Sequence, residues 1–452
     1  MEIERKIYQK LLDWKKTNGK RSLLIEGARR VGKSTIAKKF ADEQYKSNIV
    51  VDFNIAPKSV LDNFENLNNL DVFFQNLSLD YNTRLYPRES LIIFDEIQKF
   101  PKAREAIKYL VADGRYDYIE TGSLISIKEN VDDITIPSEE RRINMYPADF
   151  EEFAIFMEED ILLEEIKKCA AEKKPMEQTM HAKAMRLFRE YMIVGGMPQS
   201  MAEYKAGNRD FYAADEQKRD ILNLYKDDIR KASKKYNSKV SAIFENIPGY
   251  LSKHEKKIVL SEIEKGGQFS QYDEPLFWLG DSMICNLCYK CDDPNIEFSI
   301  NKNETFVKCY MGDTGLLVSH AFSENEIISE GLYKVFMTGK LSVNEGMLYE
   351  NIIAQMLTAM GKQLYFYTRY NPEVHRNDIE LDFLLSNESK TKFKIFPIEV
   401  KSSKNYSKTS LTEFRRIYSK RIGESYIIHP KNLSYSDGIL RFPPYMLPFI
   451  FD

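Results

Sequence analysis

Residues 27–34 read Gly-Ala-Arg-Arg-Val-Gly-Lys-Ser, a complete phosphate-binding loop, and they constrain the fold more than any other segment. The short apolar run before the loop, residues 22–26, is typical of a buried parallel strand, and residues 35–41 repeat apolar side chains at helical spacing. Between a strand and a helix, backbone N–H groups can face a phosphate at the positive end of the helix dipole. The alternative is a glycine turn that precedes a helix by chance.

The motif gives each residue of the loop a role. Lys33 would reach the β- and γ-phosphates, and the hydroxyl of Ser34 would hold Mg²⁺. The predicted cofactors are therefore ATP and Mg²⁺. The predicted nucleotide-binding residues are Gly27, Ala28, Arg29, Arg30, Val31, Gly32, Lys33, Ser34 and Thr35.

A second apolar run, residues 91–94, ends in two adjacent carboxylates, Asp95 and Glu96. Adjacent acids at the end of a buried strand are costly unless a cation or a water molecule uses them. Asp95 fits an outer ligand of Mg²⁺, and Glu96 fits the base that orients the attacking water. Glu96 thus favours an ATPase over a protein that only binds the nucleotide. An ordinary strand that ends in a solvated acidic turn is the alternative.

Strands alternate with helices over the first 150 residues, which predicts an α/β fold with a doubly wound parallel sheet. Ligands of such sheets lie beyond the carboxyl ends of the strands, where Lys33 and Glu96 are expected. A fourth strand, predicted over residues 116–123, places Thr121 or Ser123 at the same edge, where either could sense the γ-phosphate. A plain strand-to-turn transition would explain this segment equally well.

Length and composition set wider limits. The 452 residues predict two to four domains, and a net charge of −3 gives no global signature of nucleic-acid binding. Basic stretches at residues 226–239 and 390–408 can each be a solvated face. No apolar run approaches the roughly 18–20 residues of a membrane span, and the N-terminal residues lack a signal-peptide core. With five cysteines, an odd number, these features predict a cytoplasmic protein.

Three of the cysteines, Cys285, Cys288 and Cys291, follow one another at intervals of three, with Cys309 downstream. Thiolates at this spacing can share zinc or an iron–sulfur cluster. The chain offers neither a second Cys-x-x-Cys pair nor a nearby histidine. Buried small side chains in a strand or helix are therefore favoured over a metal site.

The last third of the chain carries a second set of acids. Glu350 lies in an amphipathic helix, Asp382 in a strand, and Glu399 and Lys401 in the next strand, where alternation puts both on one face. A strand with an inward acid followed by a Glu-x-Lys strand is the arrangement of PD-(D/E)xK nucleases. Asp382 and Glu399 would share a divalent metal, Lys401 would polarise the attacking water, and Glu350 could add a carboxylate. A salt-bridged strand pair with an inactive site is the alternative.

The order of these motifs resembles that of bacterial and archaeal AAA+-type ATPases with a C-terminal domain of unknown function that is itself nuclease-like. The resemblance implies ATP binding and hydrolysis, a helical and winged-helix-like middle, and a restriction-endonuclease-like C-terminus. The implied domains are an ATPase domain at 1–150, a helical region at 151–236, a winged-helix-like region at 237–325 and a nuclease-like domain at 326–452. The segments that carry the resemblance are 27–34, 91–98, 121–123, 146–153, 195–198, 310–315, 349–351, 380–383 and 399–401.

One departure from that family concerns an arginine. Such proteins often carry Gly-Arg shortly before a Pro-x-x-Phe segment, whereas residues 137–142 here read Pro-Ser-Glu-Glu-Arg-Arg. Arg141 or Arg142 could reach the γ-phosphate from a neighbouring subunit of a homo-oligomer. Both could equally be surface charges.

Two classes of function remain open at this point. In the first, an ATPase couples its nucleotide state to binding of DNA or another nucleic acid through the nuclease-like domain. In the second, a regulatory ATPase binds a protein partner, and an inactive nuclease-like domain serves for docking. The basic stretch around the Glu-x-Lys strand favours the first class, and the mild overall acidity favours the second.

Overall fold

The computed structural model describes residues 3–122, 138–231, 236–253, 256–258, 272–295, 297–322, 330–338, 345–373, 375–386, 394–403 and 406–451. The chain divides into two compact units, and the main boundary lies between Tyr146 and Pro147. The first unit contains the phosphate-binding loop, and the second contains both the middle and the C-terminal regions. The finer division into four domains stays a prediction.

The helices and strands of the described residues are numbered here in chain order. The α-helices are α1 Ile7–Lys15, α2 Lys33–Gln44, α3 Lys58–Asn63, α4 Leu70–Asp80, α5 Pro101–Asp113, α6 Phe150–Phe156, α7 Asp160–Ala171, α8 Gln178–Val194, α9 Pro198–Ala206, α10 Phe211–Lys231, α11 Asn237–Ser252, α12 Asp273–Asp281, α13 Thr314–Ala321, α14 Glu330–Thr338, α15 Glu345–Ala359, α16 Thr409–Ile417 and α17 Leu447–Ile450. The strands are β1 Ser22–Glu26, β2 Ser47–Asp52, β3 Ser90–Asp95, β4 Asp117–Gly122, β5 Glu140–Asn144, β6 Cys285–Cys291, β7 Lys302–Met311, β8 Leu364–Asn371, β9 Arg376–Ser386, β10 Ile395–Val400, β11 Ser425–Ile428, β12 Ser434–Ser436 and β13 Ile439–Phe442.

The first unit is built on a five-stranded parallel sheet with the order β2-β3-β4-β1-β5. Strand β4 therefore lies between β1, which leads into the phosphate-binding loop, and β3, which ends in the acidic pair. Because all five strands run in the same direction, their carboxyl ends meet at one edge. The predicted parallel sheet is confirmed, and its order brings the predicted site residues together.

Helices pack against both faces of this sheet. One face is covered by α3, α4 and α5 over an aromatic core, in which Phe64 lies 5.8 Å from Phe94, measured between ring centroids. Helix α2 packs against β2, β3 and β4 and also contacts α1. The ring centroids of Trp14 in α1 and Phe40 in α2 lie 6.3 Å apart. The burial of apolar side chains on both faces stabilises the position of α2 on the sheet, and the first residue of α2 therefore lies at the edge of the sheet.

The second unit is built on an eight-stranded mixed sheet with the order β12-β13-β11-β10-β9-β8-β6-β7. Strands β6 and β7, which fall in the region predicted to be winged-helix-like, are part of this sheet, because β6 pairs with β8 in parallel register. Strands on both sides of residue 326 thus belong to one sheet. A nuclease-like fold for this sheet stays a prediction.

Three motif segments for which the sequence offered no role meet in a buried polar network of the second unit. The amide of Gly196 donates to Oδ2 of Asp313 at 2.6 Å, and the amide of Ala148 donates to the carbonyl of Gly196 at 2.8 Å. Tyr191 donates to the carbonyl of Ala148 at 2.9 Å, and Gln355 donates to the Tyr191 hydroxyl at 3.2 Å. Buried polar groups are stable only when paired, so these segments hold the helices and the second sheet together.

The described residues contain no helix that is both long enough and apolar enough to cross a bilayer.

Candidate nucleotide-binding and carboxylate sites

The phosphate-binding loop ends at Gly32, whose φ of +100° lies in the left-handed region that favours glycine. Helix α2 starts at the next residue, Lys33, so the loop sits at the N-terminus of the helix as predicted. The Lys33 side chain is only 6 % exposed, and its Nζ donates to the carbonyls of Gly27 at 2.9 Å and Ala28 at 3.0 Å. The ammonium group therefore lies inside the curve of the loop.

Burial lowers the pKa of Lys33 to about 8, although the nearby carboxylates of Glu96 and Asp95 act to raise it. A buried ammonium that holds only two carbonyl oxygens is poorly compensated for its lost hydration. A phosphate group would supply the missing negative charge. The electrostatics of the loop thus favour an anionic ligand.

Asp95 is the point at which three elements meet. Its Oδ1 accepts a hydrogen bond from Ser34 Oγ at 2.6 Å and a second one from the hydroxyl of Thr121. The two hydroxyls come from α2 and from the end of β4, as the strand order requires. A hydroxyl and a carboxylate oxygen are hard ligands that suit Mg²⁺, so Ser34 and Asp95 would hold this ion.

Glu96 follows directly, with a φ of +55° that is rare for a residue other than glycine. Its amide donates to Thr121 Oγ1 at 3.3 Å, and its carboxylate accepts a hydrogen bond from the side-chain amide of Gln98. Strained backbone of this kind persists where the surrounding structure enforces it, and it is frequent at functional sites. Gln98 belongs to the motif quoted from the sequence, but only the folded chain gives it the role of holding Glu96.

Arg5 is a residue of this site that sequence reasoning missed. Its Nη1 donates to the carbonyl of Val31 at 3.0 Å, and its Nη2 donates to the carbonyl of Tyr146 at 2.6 Å. The guanidinium thus ties the phosphate-binding loop to the chain that leaves the sheet after β5. No local motif marks Arg5, because both partners are distant in sequence.

The remaining predicted residues of this site are placed as follows. Arg142 Nε donates to Glu140 Oε1 at 2.8 Å, and its Nη1 lies 3.8 Å from Glu26 Oε1, so its charge is used within its own unit. Arg141 is exposed on the edge strand β5. A role for either arginine across a subunit interface stays a prediction. Ser123 lies outside the described residues.

In the second unit, Glu350 is at the centre of a buried charge cluster. It is 2 % exposed; its Oε1 accepts from Lys308 Nζ at 2.9 Å and from the Tyr310 hydroxyl, and its Oε2 accepts from Lys256. Burial alone would raise the pKa of Glu350, but Lys256 and Lys308 outweigh it and lower that pKa well below the usual range. Both lysines were missed by sequence reasoning, because they come from other elements far along the chain.

The other three predicted residues lie beside this cluster. Asp382 Oδ2 accepts from the amide of Val400 at 2.7 Å, and burial together with Glu350 raises the pKa of Asp382. Glu399 is 1 % exposed; its Oε1 accepts from the amide of Leu411 at 3.1 Å, and its Oε2 lies 3.2 Å from Lys401 Nζ. Burial raises the pKa of Glu399 to about 7. The sheet thus brings the predicted acids and Lys401 into one region.

The divalent metal site that the sequence predicts from these carboxylates stays a prediction, and their present contacts are as follows. Glu350 is already neutralised by two ammonium groups, and Oε1 of Glu399 is occupied by the first turn of α16. Across the part of the chain that the structure describes, no cluster of three or more His, Cys, Asp or Glu side chains is arranged to hold a metal ion. A metal would have to displace lysine ammonium groups, which carry the same sign of charge.

The cysteines of β6 do not all lie on one face of the sheet. Alternation along β6 directs Cys285 and Cys288 to opposite faces of the sheet. Cys285 is hydrogen-bonded to Cys309, whereas Cys288 lies near the charge cluster of Lys308 and Glu350. All are buried free thiols, and burial raises the pKa of Cys291 to about 12. The favoured interpretation, small buried side chains in a strand, fits these contacts.

Three family models match separate parts of the chain. Residues 19–154 match a model described as an AAA domain, residues 185–326 match a domain of unknown function (DUF8612), and residues 345–445 match a second domain of unknown function (DUF4143). The first unit is therefore an AAA-type P-loop ATPase domain. A search of the curated proteins finds no match.

Solved structures with some similarity to the chain include the following three proteins. The Walker-type ATPase PABY2304 of Pyrococcus abyssi is 14 % identical over 71 % of this chain and 96 % of its own, with a TM-score of 0.39. The ORC1 protein of Aeropyrum pernix, solved in complex with DNA, is 10 % identical over 72 % and 93 %, with a TM-score of 0.30. PCH-2 of C. elegans is 13 % identical over 36 % and 48 %, with a TM-score of 0.22. These similarities are too weak to transfer a function.

Proposed function

We propose that the first unit hydrolyses ATP with the help of Mg²⁺. The observation that carries this proposal is the convergence of Ser34 and Thr121 on one oxygen of Asp95, beside the buried ammonium of Lys33. A magnesium site, a phosphate-binding cation and a polar sensor at the end of β4 are the parts that phosphoryl transfer needs.

Each residue then has a defined task in hydrolysis. Lys33 exchanges its bonds to the loop carbonyls for bonds to the phosphates, and Ser34 and Asp95 would hold the metal, which would supply charge neutralisation. Glu96 orients the attacking water and accepts its proton. Gln98 positions the Glu96 carboxylate by the hydrogen bond it donates. Thr121 contacts both acids and is placed to respond when the γ-phosphate is lost.

The affinity for ATP should fall as the pH rises through about 8, the pKa of Lys33 in the free protein. ATP binds the ammonium form, so above this pH binding must take up a proton, and the dissociation constant should rise by up to about tenfold per pH unit. Below this pH it should stay constant. Titration calorimetry at several pH values and constant ionic strength measures this dependence.

Two variants test whether Lys33 is the group that causes this pH dependence. Lys33→Ala should bind ATP weakly at every pH, because the phosphate-binding cation is gone. Lys38→Ala removes an exposed lysine from the same helix and should keep both the affinity and the pH profile of the wild type. A wild-type affinity that does not change up to about pH 9.5, more than one unit above that pKa, would show that Lys33 does not bind the phosphates.

We further propose that the second unit binds nucleic acid and that ATP turnover responds to this binding. The observation in its favour is the assembly of Glu350, Asp382, Glu399 and Lys401 on neighbouring elements, as the PD-(D/E)xK resemblance implies. The basic stretch at residues 390–408, which includes Lys401 and Lys408, brings positive charge to a chain that is mildly acidic overall.

Binding without cleavage fits this charge cluster best. A metal-dependent nuclease needs carboxylates that are open to the metal, and removing a partner from a buried ion pair is costly. Here Glu350 is held by two lysines and a tyrosine. The proposed function is therefore that of an ATPase with a nucleic-acid-binding unit that has no nuclease activity of its own.

The full-length protein should bind short DNA with an affinity that falls as salt is raised, because phosphate contacts release counterions. Fluorescence anisotropy over a salt series measures this dependence as the slope of log K against log salt concentration. Replacing both Lys401 and Lys408 by Gln should reduce the magnitude of this slope by about two if each lysine contacts one phosphate. Lys420→Gln, at an exposed position outside the cluster, is the matched control. ATP turnover with and without the same DNA tests the coupling.

The two classes of function give different results in this experiment. Binding that is insensitive to salt, or ATP turnover that DNA leaves unchanged, would favour the regulatory ATPase with a protein partner. Nicking of DNA that requires Mg²⁺ or Mn²⁺ and is lost in Asp382→Ala would contradict binding without cleavage.

A further inference from the structure

A cavity of about 320 Å³ opens on the second sheet, between β7, β6, β8 and β9. Neither of the proposed functions has assigned it a ligand. Its wall combines lysine ammonium groups, aromatic rings and two acids, Asp382 of the charge cluster and Glu380. The lining residues that matter here are Lys257, Lys290, Lys308, Phe306, Tyr370 and Asp382.

The sheet puts cations and rings side by side in this cavity. Phe306 and Lys308 of β7 both line this cavity. Lys290 Nζ lies 5.2 Å from the centroid of the Phe306 ring, and Lys257 Nζ lies 5.6 Å from it. Lys308 is buried and bonded to Glu350, so it fixes the inner wall.

The aromatic rings remain partly open to a ligand. Phe306 is 39 % exposed and Tyr370 is 58 % exposed, so neither ring is enclosed by the protein. Exposed aromatic faces beside ammonium groups are the features by which proteins hold single-stranded nucleic acid, with the bases stacked on the rings and the phosphates on the cations.

We propose that this cavity binds one unpaired nucleotide, with its base against Phe306 and Tyr370 and its phosphate at Lys257 and Lys290. A volume of about 320 Å³ lies at the lower end of the range for ligand pockets and suits one nucleotide better than a duplex. The Asp382 carboxylate at the inner wall can accept a hydrogen bond from an exocyclic amino group of the base. The inference rests on the proposed nucleic-acid binding and names the part of the nucleic acid that is recognised.

The test uses full-length protein that carries Lys33→Ala, so that nucleotide binding at the phosphate-binding loop does not interfere. Fluorescence anisotropy compares a single-stranded oligonucleotide of about 12 nucleotides with a blunt hairpin that has no unpaired end. We expect the single strand to bind more tightly. Phe306→Ala should weaken that binding by about tenfold or more, through lost stacking, and Lys290→Gln should weaken it and reduce its salt dependence.

Matched controls come from exposed residues outside the cavity. Tyr435→Ala removes an aromatic side chain that is 61 % exposed on β12, and Lys420→Gln removes an exposed lysine. Neither should change binding of the single strand. A deoxynucleoside monophosphate, used as a competitor, separates a free nucleotide from one within a strand as the ligand.

The outcomes separate this inference from the proposed function. If single strand and hairpin bind equally and Phe306→Ala and Lys290→Gln change neither, the cavity inference is overturned while nucleic-acid binding stands. If no nucleic acid binds but the monophosphate binds in a Phe306-dependent way, the cavity takes a free nucleotide and the proposed nucleic-acid function fails. If nothing binds, both fail.

Discussion

Replacing Glu96 by Gln should reduce ATP turnover by about 10²- to 10⁴-fold while ATP binding is retained. The carboxylate orients the attacking water and accepts its proton, and an amide of the same shape can do neither of these. Binding survives because the phosphates are held by Lys33 and by the backbone of the loop, none of which involves the Glu96 side chain.

The measurement is phosphate release under saturating ATP, with the affinity determined separately by calorimetry. Glu89→Gln is the matched control, because Glu89 is an exposed acid just before β3 in the same unit. Its turnover should equal that of the wild type. Turnover near the wild-type rate in Glu96→Gln would show that another group activates the water, and the proposed mechanism would fall.

Gln98→Ala tests whether turnover depends on the orientation of the Glu96 carboxylate as well as on its charge. Without the hydrogen bond from Gln98, Glu96 stays charged but is less well oriented. Turnover should then fall less than in Glu96→Gln, and ATP affinity should not change.

Local patterns were sufficient to predict most of the first unit. The phosphate-binding loop, the acidic strand and Thr121 are each recognisable in a window of a few residues, and parallel strands bring their carboxyl ends to one edge. The order β2-β3-β4-β1-β5 then places Thr121 between Lys33 and Asp95. Arg5 could not be found in this way, because its contacts with Val31 and Tyr146 depend on the finished fold.

The second unit shows why spacing alone cannot define a metal site. Alternation correctly brings Glu399 and Lys401 together, but it carries no information about what neighbouring elements contribute. Lys308 lies 42 residues and Lys256 lies 94 residues before Glu350, and both ammonium groups contact the carboxylate that the sequence offers as an additional metal ligand. The pairing of β6 with β8 could not be predicted from the sequence either, because pairing between distant strands leaves no local pattern.

Replacing Gly196 by Ala should destabilise the second unit by about 3 kcal/mol or more and lower its melting temperature by about 6 °C or more. A Cβ atom on Gly196 would collide with the backbone carbonyl of Ala148, which cannot move away as a flexible side chain could. Any shift of Gly196 also lengthens the hydrogen bonds to Asp313 at 2.6 Å and from Ala148 at 2.8 Å. A buried Asp313 that loses this amide would keep its desolvation cost without the compensating bond.

Thermal unfolding followed by circular dichroism and calorimetry measures this effect. Gly249→Ala is the matched control, because Gly249 lies within α11 and an added Cβ there meets no atom within 4 Å. It should leave the melting temperature unchanged or raise it, since alanine favours a helix over glycine by about 1 kcal/mol. The first unit has its own sheet and core, so Gly196→Ala should still bind ATP at temperatures below its transition. A Gly196→Ala protein that melts like the wild type would mean that the polar network around Asp313 does not hold the helices and the second sheet together.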